Sequence, residues 1–310
     1  MKIAVFGIGG VDGYFGGMLA KNPALEVYFI ARGNHGECIQ QQGLKIRTTD
    51  GDMLVHPAGV SADPMAIGVC DVVLVCVKSW QLTSILEGVQ SLVHERTVVL
   101  PLLNGLSAMD VLAKHIGKEH VLGGLCRIVA EIVDCGEIGV QGLQPTVVFG
   151  ELDGKETERV GMLRSCFEES GVAVEVPEDI MLAVWKKFMF IATLSGVGAY
   201  VGVAVGELRN SPESRNMLEG CLKEIQMLAE KKGVALSLTH VEKTMSFIDS
   251  LDPGVTASMQ RDILSGRPSE LEGQTGTVVK MARELGVDVP IHQQIYNALL
   301  PLEKRARGRL

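Results

Sequence analysis

The chain has none of the cysteine spacing that a metal cage or a disulfide framework requires. Its seven cysteines (Cys38, Cys70, Cys76, Cys126, Cys135, Cys166 and Cys221) are odd in number, scattered, and form no C-x-x-C pair. Long apolar runs are not expected either. The opening Met-Lys-Ile-Ala-Val-Phe-Gly is too short for a secretory segment, and no later stretch reads as apolar over the ~18 residues of a membrane span. Basic blocks are absent as well: 29 Lys and Arg against 37 Asp and Glu leave a net charge of −8, spread over both halves. That balance argues against nucleic acid and membrane as partners, but not against a small anion in a locally basic pocket. Reduced thiols and the lack of a targeting signal point to the cytoplasm.

What the chain does have is glycine, 36 of 310 residues, about 12% where about 7% is usual, with no collagen-like period to account for it. At roughly 150 residues per domain the length suggests two domains. Residues 1–177 alternate short β-branched runs (2–6, 27–30, 72–77, 97–100, 121–122) with segments of helical period (14–21, 81–93, 107–116). This is the alternation of a doubly wound parallel sheet. Residues 140–151 and 172–176 read as further strands flanking a helix at 155–170. From 178 to 310 the pattern is mostly helical: 180–194, 211–232, 238–251, 270–285 and 292–307. The basic end of the last helix, with Lys304, Arg305, Arg307 and Arg309, suits a solvated helix C-terminus.

The first strand runs directly into Gly7-Ile8-Gly9-Gly10-Val11-Asp12-Gly13. A glycine turn between a strand and a helix lets backbone N–H groups approach a pyrophosphate at the positive end of the helix dipole. Six residues here, Gly7, Ile8, Gly9, Gly10, Val11 and Asp12, are therefore candidates for binding a dinucleotide. Asp12 stands where a third glycine is usual and brings bulk and negative charge toward the phosphates; equally, it is a carboxylate suited to a helix N-terminus. At the end of the second strand Arg32 replaces the Asp or Glu that would bind an NAD ribose, so a 2′-phosphate and hence NADP(H) is expected.

Lys78 and Asn104 each follow an apolar strand, at the edge where open α/β sheets bind ligands; each also suits a snorkelling Lys or a turn Asn. In the apolar helix from 180, Lys187 shares a face with Val184 and Ile191, while Lys186 has Leu182 and Phe190 as neighbours, so periodicity does not choose between them. A partly desolvated Lys would have the lowered pKa of an acid or base that works near neutrality. Ser269 and Glu272 suit a capping box, which makes Glu270 a first-turn carboxylate, and Ser258 reads as a helix-surface residue.

Taken together, Gly7-Ile8-Gly9, Lys78-Ser79-Trp80-Gln81, Asn104-Gly105, Trp185-Lys186-Lys187, and Ser258-Met259 followed by Glu270 resemble the ketopantoate reductase (2-dehydropantoate 2-reductase) family over nearly the whole chain. The resemblance implies a Rossmann-type domain followed by a helical domain, with the active site in the cleft between them. It also implies NADPH-dependent reduction of a 2-keto acid, ketopantoate to pantoate, as a step of pantothenate biosynthesis. It gives Lys187 the catalytic role and Glu270 a supporting one, holding the charged amine in place. Asn104 and Ser258 would contact substrate, Asn104 also lying near the nicotinamide; Arg32, Lys78 and Gln81 would lie at the NADP phosphates. A homodimer is the assembly expected. Two family asparagines are absent, their places taken by Ile191 and Ser195. With Ser195 still counted among the substrate contacts, this loosens recognition of a polar substrate tail and leaves two alternatives open. One is a reductase of a more apolar 2-keto acid; the other, suggested by Asp12, is a non-catalytic NADP sensor.

Overall fold

The computed structural model describes residues 1–309. They form two compact units, one of Met1–Leu103 with Ser107–Ile180, the other of Asn104–Leu106 with the chain from Met181 onward. In chain order the first contains β1 (Lys2–Phe6), α1 (Gly10–Ala20), β2 (Glu26–Ile30), α2 (Asn34–Gln42), β3 (Leu44–Thr48), β4 (Gly51–Val55), β5 (Gly59–Ser61), β6 (Val72–Val75), α3 (Leu82–Ser91), β7 (Val98–Pro101), α4 (Ala108–Ile116), β8 (Gly123–Asp134), β9 (Glu137–Gly150), α5 (Glu158–Glu169) and β10 (Ala173–Glu175).

Five of these strands form a wholly parallel sheet in the order β5-β2-β1-β6-β7. Its central strands read as unbroken apolar runs because both faces are covered; Val72–Val75 is buried at every position. The order reverses at β1, where Val5 pairs with Phe29 on one side and Leu74 on the other. The carboxyl ends of β1 and β6 thus flank a topological switch point, the usual ligand position in such sheets.

A second, mixed sheet, β10-β9-β3-β4 with β8 also on β9, contains the strands expected at 140–151 and 172–176 as β9 and β10, together with β3, β4 and β8, which were not expected. Helix α1 packs against both sheets and needs glycine to do so. A Cβ on Gly16 would fall 2.6 Å from the Phe29 ring, and one on Gly17 2.6 Å from Ile46 Cδ1. Part of the glycine surplus is therefore close helix-to-sheet packing.

Two expectations are corrected. Cys38, in α2, and Cys135, in the turn between β8 and β9, form a disulfide with Cα atoms 5.9 Å apart. They are separated by 97 residues, so no local spacing signalled the pair. In the second unit, α6 (Ile180–Val201) is long and apolar enough to cross a membrane, although 61% of its apolar window is buried within the protein. Lys186 and Lys187 are its sole charged residues, and Val184, Trp185, Phe188, Met189 and Val197 make it a core helix.

Around α6 stand α7 (Val205–Asn210), α8 (Pro212–Lys231), α9 (Leu238–Ser250), α10 (Ser258–Leu264), α11 (Thr277–Leu285) and α12 (Pro290–Ala306). The capping box expected of Ser269 and Glu272 does not form. Ser269 directs its N–H and hydroxyl to the Glu303 carboxylate, at 3.0 and 2.6 Å to Oε2, and Glu272 accepts the Tyr296 hydroxyl at 2.9 Å. The segment expected as one helix from 270 starts instead with a π-helical turn, Glu272–Gly276.

Candidate cofactor and active site

The glycine turn lies at the carboxyl end of β1. Gly7 has φ +116°, a left-handed conformation that only glycine adopts without strain, and Gly9 precedes α1 with no side chain capping the helix. At the start of α1 the Gly9 and Asp12 N–H groups turn to the Asp12 carboxylate, which leaves those of Gly10 and Val11 as the donors an anion requires. Gly10 is fixed by packing, since a Cβ there would sit 2.3 Å from the Ala130 carbonyl carbon. A pyridine dinucleotide fits this backbone.

Asp12 shares that turn and is 3% exposed. A Cβ on Gly7 would lie 1.8 Å from Asp12 Oδ2, and one on Gly9 3.0 Å from Oδ1, so the carboxylate fills the space behind the loop. Burial pushes its pKa up to about 6; hydrogen bonds from the Gly9, Asp12 and Gly13 backbones and the charge of Lys78 hold the rise back. Asp12 and Lys78 thus act on one another electrostatically within this unit. Arg32 is exposed just beyond β2. The Lys78 N–H donates to Gln81 Oε1 at 3.1 Å, so the Gln81 amide oxygen closes a short helical turn rather than pointing outward.

In the second unit Asn104 Nδ2 donates to Glu270 Oε2 at 3.2 Å, joining motifs 166 residues apart. Glu270 is 3% exposed. Lys187 is half-buried on α6 and Lys186 exposed, a distinction that periodicity left open. Ser258 is half-buried at the start of α10, and Ser195 is fully buried on α6.

Sequence reasoning passed over Gln274 and Thr275, both fully buried in the π turn, and Thr193, buried on α6. The available signal was a Gln-Thr pair on the apolar stripe that continues through Val278, Val279 and Ala282.

A glycine turn at the switch point of a parallel sheet, followed by a helical unit with a sheltered lysine and an Asn–Glu pair, is the build of a pyridine-nucleotide-dependent oxidoreductase. Comparison with known proteins is more specific. Residues 3–154 match the family described as Ketopantoate reductase PanE/ApbA, and residues 179–303 its C-terminal counterpart. The chain belongs to the ketopantoate reductase family. It is 30% identical over 296 residues to the uncharacterized oxidoreductase YkpB of Bacillus subtilis, covering 96% of this chain and 97% of that one. It is 26% identical over 310 residues to the 2-dehydropantoate 2-reductase of Nostoc sp., covering 99% and 96%. The crystal structure of a PanE/ApbA family ketopantoate reductase from Ralstonia eutropha JMP134 superposes with a TM-score of 0.90 at 26% identity, over 99% of this chain and all of that one.

Proposed function

We propose that this oxidoreductase uses NADPH to reduce a 2-keto acid to the 2-hydroxy acid, with 2-dehydropantoate as substrate and Lys187 as proton donor. The observation that carries this reading is the Asn104–Glu270 hydrogen bond, which gives two distant motif residues a common position in the helical unit. The family relationship and the name of the Nostoc relative support the substrate class. Arg32, in the place of a ribose-binding carboxylate, supports NADPH over NADH.

A bound reduced nicotinamide supplies hydride to the ketone carbon. The rest falls to the protein. Gly10 and Val11 offer backbone N–H groups to the pyrophosphate, Gly7, Ile8 and Gly9 shape the turn that presents them, and Arg32 and Lys78 neutralise phosphate charge. As negative charge grows on the substrate oxygen, the Lys187 ammonium stabilises it and then gives up a proton to form the hydroxyl. Asn104 and Glu270 orient the reacting end, and the Ser258 hydroxyl receives the substrate carboxylate. A reductase of pantothenate biosynthesis is the setting these roles suit.

The direct test is NADPH consumption with 2-dehydropantoate by the wild type, Lys187→Ala and Lys186→Ala. Lys187→Ala is expected to lower kcat by at least roughly 10²-fold, the scale of general-acid catalysis, with NADPH affinity nearly unchanged. An inactive Lys186→Ala beside an active Lys187→Ala overturns the assignment. The half-buried Ile191, where the family has an asparagine, favours a second reading in which the keto acid is more apolar. Equal or better turnover of keto acids without a hydroxyl would select it.

A further inference from the structure

Among the described residues, four side chains on α6 and the π turn carry polar atoms that have no hydrogen-bond partner: Thr193 Oγ1, Ser195 Oγ, both amide atoms of Gln274, and Thr275 Oγ1. All four residues are 0% exposed. A buried donor or acceptor without a partner is costly, so such groups are rare and tend to concentrate where a ligand completes them. They lie on two elements that meet. Thr275 Oγ1 lies 3.3 Å from the point where a Cβ on Gly196 would stand, which sets the π turn against α6 next to Ser195. The Gln274 N–H donates to the Glu270 carbonyl at 3.0 Å, placing Gln274 one turn from the carboxylate that holds Asn104. Gly105 faces the same turn, its Cβ position being 3.2 Å from the Gly273 carbonyl oxygen. Gln274 therefore lies one turn from the Asn104–Glu270 pair, in a π-helical turn of the kind found at functional sites.

We infer that Gln274 determines substrate specificity by hydrogen bonding to a hydroxyl on the tail of the 2-keto acid, with Ser195 beside it. The inference rests on the proposed 2-keto-acid reduction and identifies which acids are accepted. Its chemistry follows from the carboxamide, which has donor and acceptor both unpaired. A hydroxyl satisfies both, accepting from Nε2 and donating to Oε1. A second carboxylate would leave Oε1 unpaired, an ammonium would leave Nε2 unpaired, and an alkyl tail would leave both.

The test uses a matched pair of substrates, 2-dehydropantoate and 3,3-dimethyl-2-oxobutanoate, the latter lacking only the hydroxyl. Steady-state kinetics with NADPH are measured for the wild type, Gln274→Met and Ser195→Ala, with the melting temperature of each protein. Gln274→Met is expected to lower kcat/KM for the hydroxylated substrate roughly 10–100-fold and for the analogue less than about threefold, without lowering the melting temperature. Ser195→Ala, a small change in a buried site, should shift the same ratio in the same direction. Equal losses on both substrates with a lower melting temperature would make Gln274 structural and overturn the inference. An unchanged ratio in both variants overturns it too, leaving the reductase reading intact. Failure of the wild type to reduce either acid overturns that reading and the inference with it.

Discussion

Asn104 and Glu270, 166 residues apart, meet at 3.2 Å, the amide nitrogen of Asn104 donating to a Glu270 carboxylate that is itself buried. A buried carboxylate held by a neutral donor keeps its orientation, and removing it strands the donor. Glu270→Ala is expected to lower kcat/KM roughly 10²-fold or more. Glu270→Gln retains an oxygen for Asn104 and should stay within about tenfold of wild type. Steady-state kinetics of the two variants separate these outcomes; equal losses would show that the negative charge matters and the hydrogen bond does not.

Arg32 is exposed beyond β2, and among the described residues it has no ion-pair partner. Its guanidinium is therefore available to a 2′-phosphate. Arg32→Ala is expected to cut the NADPH-over-NADH preference by roughly tenfold or more, the worth of a charge-assisted hydrogen bond, with NADH affinity little changed. Fluorescence titration with both nucleotides checks this, and unchanged selectivity would reduce Arg32 to a surface residue.

The parallel sheet was legible because its strands are short, apolar and buried on both faces, as at Val72–Val75, and because the glycine turn follows directly on β1. The second sheet was legible only in part: β9 and β10 were expected, β3, β4 and β8 were not. β4 contains Gly51 and Asp52, and β8 is exposed along much of its outer half, so neither shows a clear period of two. Lys78, Asn104, Lys187 and Glu270 were found as motif residues, but periodicity could not say which lysine is sheltered or that Asn104 and Glu270 would touch. Contacts across 166 residues depend on tertiary packing. Gln274 escaped notice because a lone polar residue on an apolar stripe looks like noise until its burial is known.

Asp12 makes stability depend on pH. Its buried carboxyl has a pKa of about 6 against an ordinary 3.8, so the folded protein holds this proton more tightly than the unfolded chain does. The stabilisation is complete below the ordinary value and is lost as pH rises through about 6, after which the buried charge carries its full cost. Asp12→Asn, which keeps an oxygen for the loop N–H groups, should therefore stabilise the protein at neutral pH by up to about 3 kcal/mol and by little near pH 4. Urea unfolding at the two pH values measures the difference; an equal effect at both would mean that Asp12 titrates normally.

The Cys38–Cys135 disulfide ties α2, the helix that follows Arg32, to the turn between β8 and β9, and the Gly136 N–H supports the junction by donating to His35 Nδ1 at 2.9 Å. Five cysteines lie outside the bridge. Thiol titration in denaturant should therefore count five without reductant and seven after reduction. Closing so long a loop restricts the unfolded chain, so reduction or a Cys38→Ser, Cys135→Ser double variant is expected to cost about 2–4 kcal/mol of stability. Both cysteines are half-buried, so a small dithiol should reach the bridge without global unfolding. The Gly136–His35 hydrogen bond should survive reduction, so α2 is expected to hold its place and the loss to appear mainly in the unfolding equilibrium. Seven thiols before any reduction would mean that the two cysteines are merely neighbours.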